Sequence, residues 1–217
     1  TSPLIIAVPK GRIQDELIPL FKQVDIEPED AFFDEKARQL QFFCKNSLIK
    51  LIRVRSFDVA TFVAFGAAQI GVAGSDVLME FDYPDIYTPL DLKIGFCRLS
   101  LACTDTDTAK DELDHASHVR VATKYPNVTR RYFAEQGIQA ECIKLSGAME
   151  LAPKLGLTNY IVDLVSSGRT LQENNLKEMS IISQVSSRLI VGRSAFKTRS
   201  SEISNLIQSF REVVYDR

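Results

Sequence analysis

The chain has 217 residues, 45% of them hydrophobic and 25% charged, with a formal net charge of -2. These values exclude a largely disordered chain and fit one large or two small globular domains. Its 26 basic side chains do not outnumber its 28 acidic ones, which speaks against nucleic-acid binding as the main activity and leaves room only for a local basic pocket.

The start, Thr1-Ser2-Pro3-Leu4, has no basic stretch leading into a long apolar one, so no signal peptide is expected. No apolar run reaches the roughly 18–20 residues of a membrane span. Leu4 to Val8 is a short apolar run that reads as a buried strand, broken by Pro9-Lys10-Gly11-Arg12. Ile13, Leu17, Leu20, Phe21 and Val24 then recur at helical spacing, with Asp15 and Glu16 in the first turn, where the helix dipole favours acids. The chain therefore opens strand, turn, helix, with a lysine and an arginine at the turn.

Leu40–Cys44 and Leu48–Val54 read as strands joined by a turn at Lys45-Asn46-Ser47. Asp58 is placed to cap a helix from Val59 to about Gly66. A buried strand over Ile70–Ala73 leads through Gly74-Ser75-Asp76 into a helix at Val77–Glu80, and Tyr83-Pro84-Asp85 ends that unit. Leu92 to Cys103 is apolar but interrupted by Lys93, Gly95 and Arg98, and is the first candidate crossover between domains. Val119–Thr123 is a strand, and Asn127 is placed to cap a helix that ends near Gly137. Ala140–Leu145 is a strand, Gly147–Leu155 a helix interrupted by Pro153, and Asn159–Val165 a strand running into Ser166-Ser167-Gly168-Arg169-Thr170. Ile181–Gln184 and Arg188–Val191 are extended, with Arg188 expected to be a buried, paired structural residue. Ser200–Val214 closes the chain as an amphipathic helix with Ile203, Leu206, Ile207, Phe210 and Val214 on one face. Strands alternating with helices predict an α/β fold with mostly parallel sheets, and extended crossovers suit two lobes better than beads on a string.

Cys44, Cys97, Cys103 and Cys142 form no C-x-x-C pair, so they read as small hydrophobes in strands of a reduced, cytoplasmic protein. His115 and His118 lie near Asp114, which makes a metal site conceivable; the polar stretch Lys110-Asp111-Glu112-Leu113-Asp114-His115 favours a solvated loop or helix end. With no other histidine, Ser-His-Asp and Cys-His catalysis lack a base.

The richest chemistry lies around Asp163. An apolar strand delivers this acid near its carboxyl end, and a loop of small residues and a helix start follow. Successive backbone N–H groups in such a loop form an anion nest, and a helix N-terminus adds positive potential. Ser167 and Thr170 add hydroxyls, while Gly168 permits a positive φ. An acid one turn upstream suits vicinal sugar hydroxyls, so the segment describes a cradle for a 5-phosphoribose; an ordinary strand–turn–helix with a Ser/Thr cap has the same spacing. Neither G-x-x-x-x-G-K-[ST] nor G-x-G-x-x-G occurs.

The segment also resembles the phosphoribosyl pyrophosphate motif of phosphoribosyltransferases, with Leu164 where the common form has a second acid. A single acid in this setting is similar to that of the ATP phosphoribosyltransferases, and further strings carry the likeness. Ile6-Ala7-Val8-Pro9-Lys10-Gly11-Arg12 resembles that family's opening strand and K-G-R turn. Arg55-Ser56-Phe57-Asp58-Val59 and Gly66 to Leu78 resemble its R-x-x-D-V and G-x-x-D-x-G-x-x-G-x-D-x-L strings, with Gln69 in place of the usual Asp. Ala122-Thr123-Lys124-Tyr125-Pro126-Asn127, Gly147 to Pro153 and Ser186 to Val191 resemble later ones.

This resemblance implies attack of N1 of the ATP adenine on C1 of phosphoribosyl pyrophosphate, releasing pyrophosphate. Mg2+ is expected on the pyrophosphate, with no ligand direct from the protein. It implies catalytic roles for Lys10, Arg12 and Asp163, the first two meeting pyrophosphate or triphosphate and the acid meeting the ribose hydroxyls. Substrate binding is expected from Arg38, Arg55, Lys124, Tyr125 and Glu150, with Ser166, Ser167, Gly168, Arg169 and Thr170 on the 5-phosphate. The implied fold is two lobes like a type II periplasmic binding protein, residues 1–89 with 176–217 and residues 90–175, with the active site in the interlobe cleft.

The chain stops soon after its closing helix, so it is expected to match the family's short form. That form is a homodimeric catalytic subunit that joins a regulatory subunit resembling histidyl-tRNA synthetase in a hetero-octamer. Two other readings stay open: a two-lobed, non-catalytic binder of small anions, and a phosphoribosyltransferase with another acceptor base.

Overall fold

The structure, a computed structural model, describes residues 2–34 and 36–215, and the side chains of Asp107 and Lys110 lie outside that description. The chain divides into two compact units, Thr1–Gly95 with Ser186–Arg217, and Phe96–Val185. The first contains β1 (Leu4–Pro9), α1 (Arg12–Gln23), β2 (Gln41–Phe43), β3 (Ile49–Val54), α2 (Val59–Ala64), β4 (Ile70–Gly74), α3 (Ser75–Phe81) and β5 (Ile86–Asp91). The second contains β6 (Cys97–Thr104), α4 (Asp107–Asp114), β7 (His118–Thr123), α5 (Pro126–Ala134), β8 (Gln139–Lys144), α6 (Leu151–Lys154), β9 (Tyr160–Val165), α7 (Arg169–Glu173) and β10 (Leu176–Val185). The chain then returns to the first unit with β11 (Ser187–Gly192), α8 (Arg193–Thr198) and α9 (Ser200–Tyr215).

The boundaries fall later than the sequence suggested. The expected first cut after residue 89 divides β5, which pairs with β11 in the first sheet. An expected return at residue 176 would assign β10 to the first unit, whereas β10 pairs along its length with β6 in the second. The stretch 92–103 does contain the crossover, at Gly95–Phe96.

The first sheet runs β2-β3-β1-β4-β11-β5 and the second β10-β6-β9-β7-β8. Both are mixed rather than mostly parallel. β1 lies parallel to β3 and β4, and β7 parallel to β8 and β9, each with a helix in the connection. The strands next to the crossovers, β5, β6, β10 and β11, pair antiparallel with their neighbours. β5 runs directly into β6 and β10 directly into β11, so the chain leaves the first sheet along one strand and comes back to it along the other, in the opposite direction.

Burial explains why the central strands read as continuous apolar runs. In β1, Leu4, Ile6 and Val8 enter one core with Leu17, Leu20 and Phe21 of α1 and Ile203 and Phe210 of α9. Ala7 faces the opposite core with Val59, Ala60 and Val63 of α2 and Ile190 of β11. A strand covered on both faces has no polar side to alternate. In the second unit, Ala102, Ile161 and Val165 meet Met149, Ala152 and Leu171.

Close approach dictates one glycine. A Cβ on Gly71 in β4 would lie 2.8 Å from Val59 Cγ1 and 2.9 Å from Val63 Cγ2. Gly71→Ala is expected to destabilise the protein by about 1–3 kcal/mol, because overpacking forces α2 away from the sheet. Chemical denaturation checks this; stability within about 0.5 kcal/mol of the parent would contradict it.

Some sequence expectations need correction. Asp58 makes no side-chain cap bond; a single 3-10 turn, Ser56–Asp58, leads into α2 instead. Asn127 lies inside α5, which starts at Pro126, where the missing N–H costs nothing. The helix expected over Gly147–Leu155 shrinks to Leu151–Lys154, with Ala148 at a φ of 52° before it. None of the four cysteines is in a disulfide, and burial pushes the Cys44 thiol up to about 11.

Candidate active site

Two sets of polar residues collect at strand ends, one in each unit. In the first unit, the parallel pairing aligns Pro9 with Val54, and the Lys10 N–H donates to the Val54 carbonyl at 2.9 Å. Lys10 and Arg55 therefore leave their strands side by side, and both are exposed. Gly11, at a φ of 93°, turns the chain into α1, whose first residue is Arg12. Arg12 Nε lies 3.5 Å from Glu16, whose other oxygen accepts the Gly95 N–H at 2.7 Å. Arg38 is exposed in the segment before β2. That segment is tied to β3, since Arg53 N–H donates to Leu40 and the Arg53 guanidinium donates to Ala37. Lys10 and Arg55 thus stand at the paired ends of β1 and β3, and the segment that carries Arg38 is tied to β3. The carboxyl ends of parallel strands are where open α/β sheets bind ligands.

In the second unit, Thr123 is the anchor. Its hydroxyl donates to the Val162 carbonyl at 2.9 Å and accepts the Tyr125 N–H at 2.9 Å. This fixes the end of β7 beside β9, so half-buried Lys124 leaves its strand next to half-buried Asp163. Tyr125 is only 2% exposed, so its ring belongs to the core. Glu150 is half-buried at the start of α6, between the fully buried Met149 and the exposed Leu151.

Asp163 Oδ1 accepts the N–H of Leu164 at 2.8 Å. The loop Ser166 to Thr170 follows directly, with Gly168 left-handed at a φ of 83° and half-buried. Ser166, Ser167, Arg169 and Thr170 are exposed. Since α7 spans only Arg169–Glu173, its dipole adds little; the N–H groups and hydroxyls of the loop must supply most of any anion binding.

Arg98, Ser100 and Glu178 form a cluster that the sequence reading did not place at a site. Arg98 donates from Nε and Nη2 to the two carboxylate oxygens of Glu178 at 2.6 and 2.7 Å, and from Nη1 to the Ser166 carbonyl at 2.9 Å. The Ser100 hydroxyl donates to Glu178 at 2.6 Å. The Arg98 hydrogen bonds hold the Glu178 carboxyl below its usual range, and Glu178 raises Arg98 in turn. The signal in the sequence was an arginine interrupting an apolar strand; its acidic partner lies 80 residues away.

Arg188 pairs with Asp91 at 3.5 Å, as a structural residue should, but is half-buried rather than buried. His115 sits at the end of α4 with Nδ1 3.0 Å from the Asp111 carbonyl oxygen. Among the described residues, no group of three or more His, Cys, Asp or Glu side chains could hold a metal ion, and no helix is long and apolar enough to cross a membrane.

The two-unit α/β architecture is that of periplasmic binding proteins. The aliphatic sulphonate binding protein SsuA from Escherichia coli superposes with a TM-score of 0.59 at 13% identity, covering 98% of this chain and 72% of that one, a likeness of fold alone. The particular family follows from closer comparisons: residues 55–212 match the family model for ATP phosphoribosyltransferase. An ATP phosphoribosyltransferase of Rhizorhabdus wittichii is 60% identical over 217 residues, 100% of this chain and 98% of that protein. One from Paramagnetospirillum magneticum is 62% identical over 209 residues, 96% and 95% of the two chains. Among solved structures, the ATP phosphoribosyl transferase (HisG:HisZ) complex from Thermotoga maritima matches with a TM-score of 0.81 at 30% identity, covering 99% of this chain and 100% of that one. The chain belongs to the ATP phosphoribosyltransferase family. It is a transferase that moves the 5-phosphoribosyl group from phosphoribosyl pyrophosphate to ATP, the first step of histidine biosynthesis.

Proposed function

We propose that the Asp163 loop of the second unit holds the phosphoribosyl donor while cations of the first unit meet the phosphate chains. One observation carries this reading: Asp163 and the loop Ser166 to Thr170 follow each other at the end of β9, beside Lys124 at the end of the parallel β7. N–H groups and the hydroxyls of Ser167 and Thr170 bind the 5-phosphate, and the Asp163 carboxylate accepts from the ribose hydroxyls. Glu150 stands ready for the same sugar. Lys10 and Arg12, with Arg38 and Arg55, bind the pyrophosphate or the ATP triphosphate.

In the reaction, the N1 lone pair of adenine forms the new bond to C1, and the bond from C1 to the pyrophosphate oxygen breaks with its electron pair leaving on that oxygen. Negative charge grows on the leaving group and positive charge on the ribosyl carbon. Fixed cations stabilise the first and the Asp163 carboxylate the second, so positioning and electrostatics accelerate the step without a general base. The donor set here suits Mg2+, a hard ion that keeps waters and substrate phosphates as ligands and needs at most one or two carboxylates. Bound on the pyrophosphate, it would neutralise the developing charge.

We further propose a homodimer that joins a HisZ-like regulatory subunit. The complex from Thermotoga maritima supports this. Four cysteines that form no disulfide support a reducing, cytoplasmic setting.

The test mixes the chain with ATP, phosphoribosyl pyrophosphate, Mg2+ and pyrophosphatase and follows the ultraviolet absorbance of N1-ribosylated adenine. Absorbance growth that needs both substrates is expected. Silence in the chain alone and with a HisZ-like partner would refute the assignment to ATP and revive a binder of small anions or another acceptor base.

A further inference from the structure

We propose that Arg98 and Glu178 form a positioning pair that holds the Ser166 to Thr170 loop in its anion-binding shape, so that affinity for the phosphoribosyl donor depends on a salt bridge that does not touch it. The inference rests on reading that loop as the 5-phosphate site.

Geometry places the pair where such a device must be. Arg98 lies directly opposite Val165, the last residue of β9 before the loop, and Ser100 opposite Asp163. Residues opposite each other across an antiparallel pair share a face, so Arg98, Ser100 and Asp163 project from the same side of the sheet. Glu178 reaches that side from β10, where it pairs with Ala102. A register shift between Glu178 and Ser180 follows immediately, and such bulges re-aim side chains beside sites.

All three hydrogen-bonding nitrogens of Arg98 are committed. Two close the fork on Glu178, and the third holds the Ser166 carbonyl at 2.9 Å. A carbonyl turned toward a phosphate would repel it, and one fixed on a guanidinium cannot turn. Bonds made by the loop itself are longer: Arg169 N–H reaches the Ser167 hydroxyl at 3.4 Å, and Gln172 N–H the Gly168 carbonyl at 3.2 Å. A Cβ on Gly168 would come within 3.9 Å of Arg98 Nη2, so the guanidinium also lies alongside the turn of the loop. Paired with Glu178, Arg98 brings no net charge, so its effect is on shape. The planar fork is essential to that role, because an ammonium cannot span a carboxylate and a carbonyl in fixed directions.

The test compares Arg98→Lys, Arg98→Met and Glu178→Gln with the parent full-length chain, using Thr170→Val as a probe of the loop itself. Calorimetric titration with phosphoribosyl pyrophosphate gives affinity, steady-state kinetics give both KM values and kcat, and thermal melts check folding. Both Arg98 variants are expected to weaken donor affinity and raise its KM by about tenfold or more, with the KM for ATP changed less than about twofold. Lysine does not rescue, and Glu178→Gln falls between, since the amide keeps one acceptor. A merely structural bridge would lower the melting temperature and leave the ratio of the two KM values unchanged. That outcome overturns the proposal. If Arg98→Met does not fold, Glu178→Gln decides by the same ratio. Weakened binding in Thr170→Val beside unchanged binding in both Arg98 variants rejects the pair and keeps the loop; unchanged binding in all of them rejects the loop reading, and the pair with it.

Discussion

Replacing Asp163 by asparagine is expected to lower kcat at least about a hundredfold, the scale of losing one charge-stabilising group aimed at a transition state. The substitution is nearly isosteric. Asparagine keeps the Oδ1 that accepts the Leu164 N–H at 2.8 Å, so the turn out of β9 survives. What disappears is the negative charge. A carboxylate accepting from sugar hydroxyls is a stronger partner than an amide, and the difference grows as positive charge builds on the ribosyl carbon. The interaction is thus worth more in the transition state than in the ground state, and the loss falls on kcat more than on the KM for phosphoribosyl pyrophosphate. The measurement is steady-state turnover by the absorbance of N1-ribosylated adenine, with a melt to show that the variant is folded. A folded Asp163→Asn protein within tenfold of the parent would remove Asp163 from the catalytic machinery. Asp163→Ala should lose at least as much turnover.

The parts of this molecule most legible in its sequence are those where local chemistry and packing agree. β1 is apolar throughout because both faces are covered, and β9 is apolar and buried up to Val162, before half-buried Asp163 and exposed Leu164; each leads into a turn whose glycine takes a positive φ, Gly11 at 93° and Gly168 at 83°. α9 shows a buried stripe because only one side of it meets the core. Strand direction was hidden. Nothing local in β5 or β11 states whether a strand lies parallel or antiparallel to its neighbour; that depends on where the chain goes between them. β5 itself was missed, since Tyr83-Pro84-Asp85 and Pro89 break its pattern, and an edge strand tolerates a proline that a central one does not. The short helix over Gly147–Leu155 was overread because Ala, Met, Glu and Leu favour helix, while Pro153 and Gly156, at a φ of 71°, confine it to one turn.

At the candidate site, the named residues stood in strings next to each other in sequence. The groups that position them did not. Arg98 and Glu178 meet only because β6 and β10 pair, and Arg53 meets the segment before Arg38 only because β3 folds back on it. Contacts between residues far apart in sequence are fixed by topology, which pattern reading does not supply.

Arg53 carries the second large effect, this time on stability. It is 5% exposed and lies at the end of β3, with its guanidinium carbon 4.9 Å from the centre of the Phe42 ring. Nη1 donates to the Phe32 carbonyl at 2.9 Å; Asp34 accepts from both terminal nitrogens at 3.4 Å, and Ala37 from Nη2 at 3.3 Å. One side chain thus satisfies three carbonyls of an irregular segment that leads into Arg38. Arg53→Met keeps the length and the contact with Phe42 but orphans those carbonyls. Removing the charge recovers some desolvation cost, and losing the hydrogen bonds outweighs it, because an unsatisfied buried acceptor costs about 1–3 kcal/mol. The net loss is expected to be about 3 kcal/mol, or a melting temperature about 6–12 °C lower for a chain of this size. Arg53→Lys should fall between, since one ammonium reaches fewer of the three acceptors. The segment itself should open before the whole unit does. Lys36 and Arg38 are exposed trypsin sites within it, so limited proteolysis of Arg53→Met should release fragments cut after those residues at temperatures where the parent chain resists. A variant that melts within 2 °C of the parent and gives the same tryptic pattern would show that Arg53 does not hold this segment.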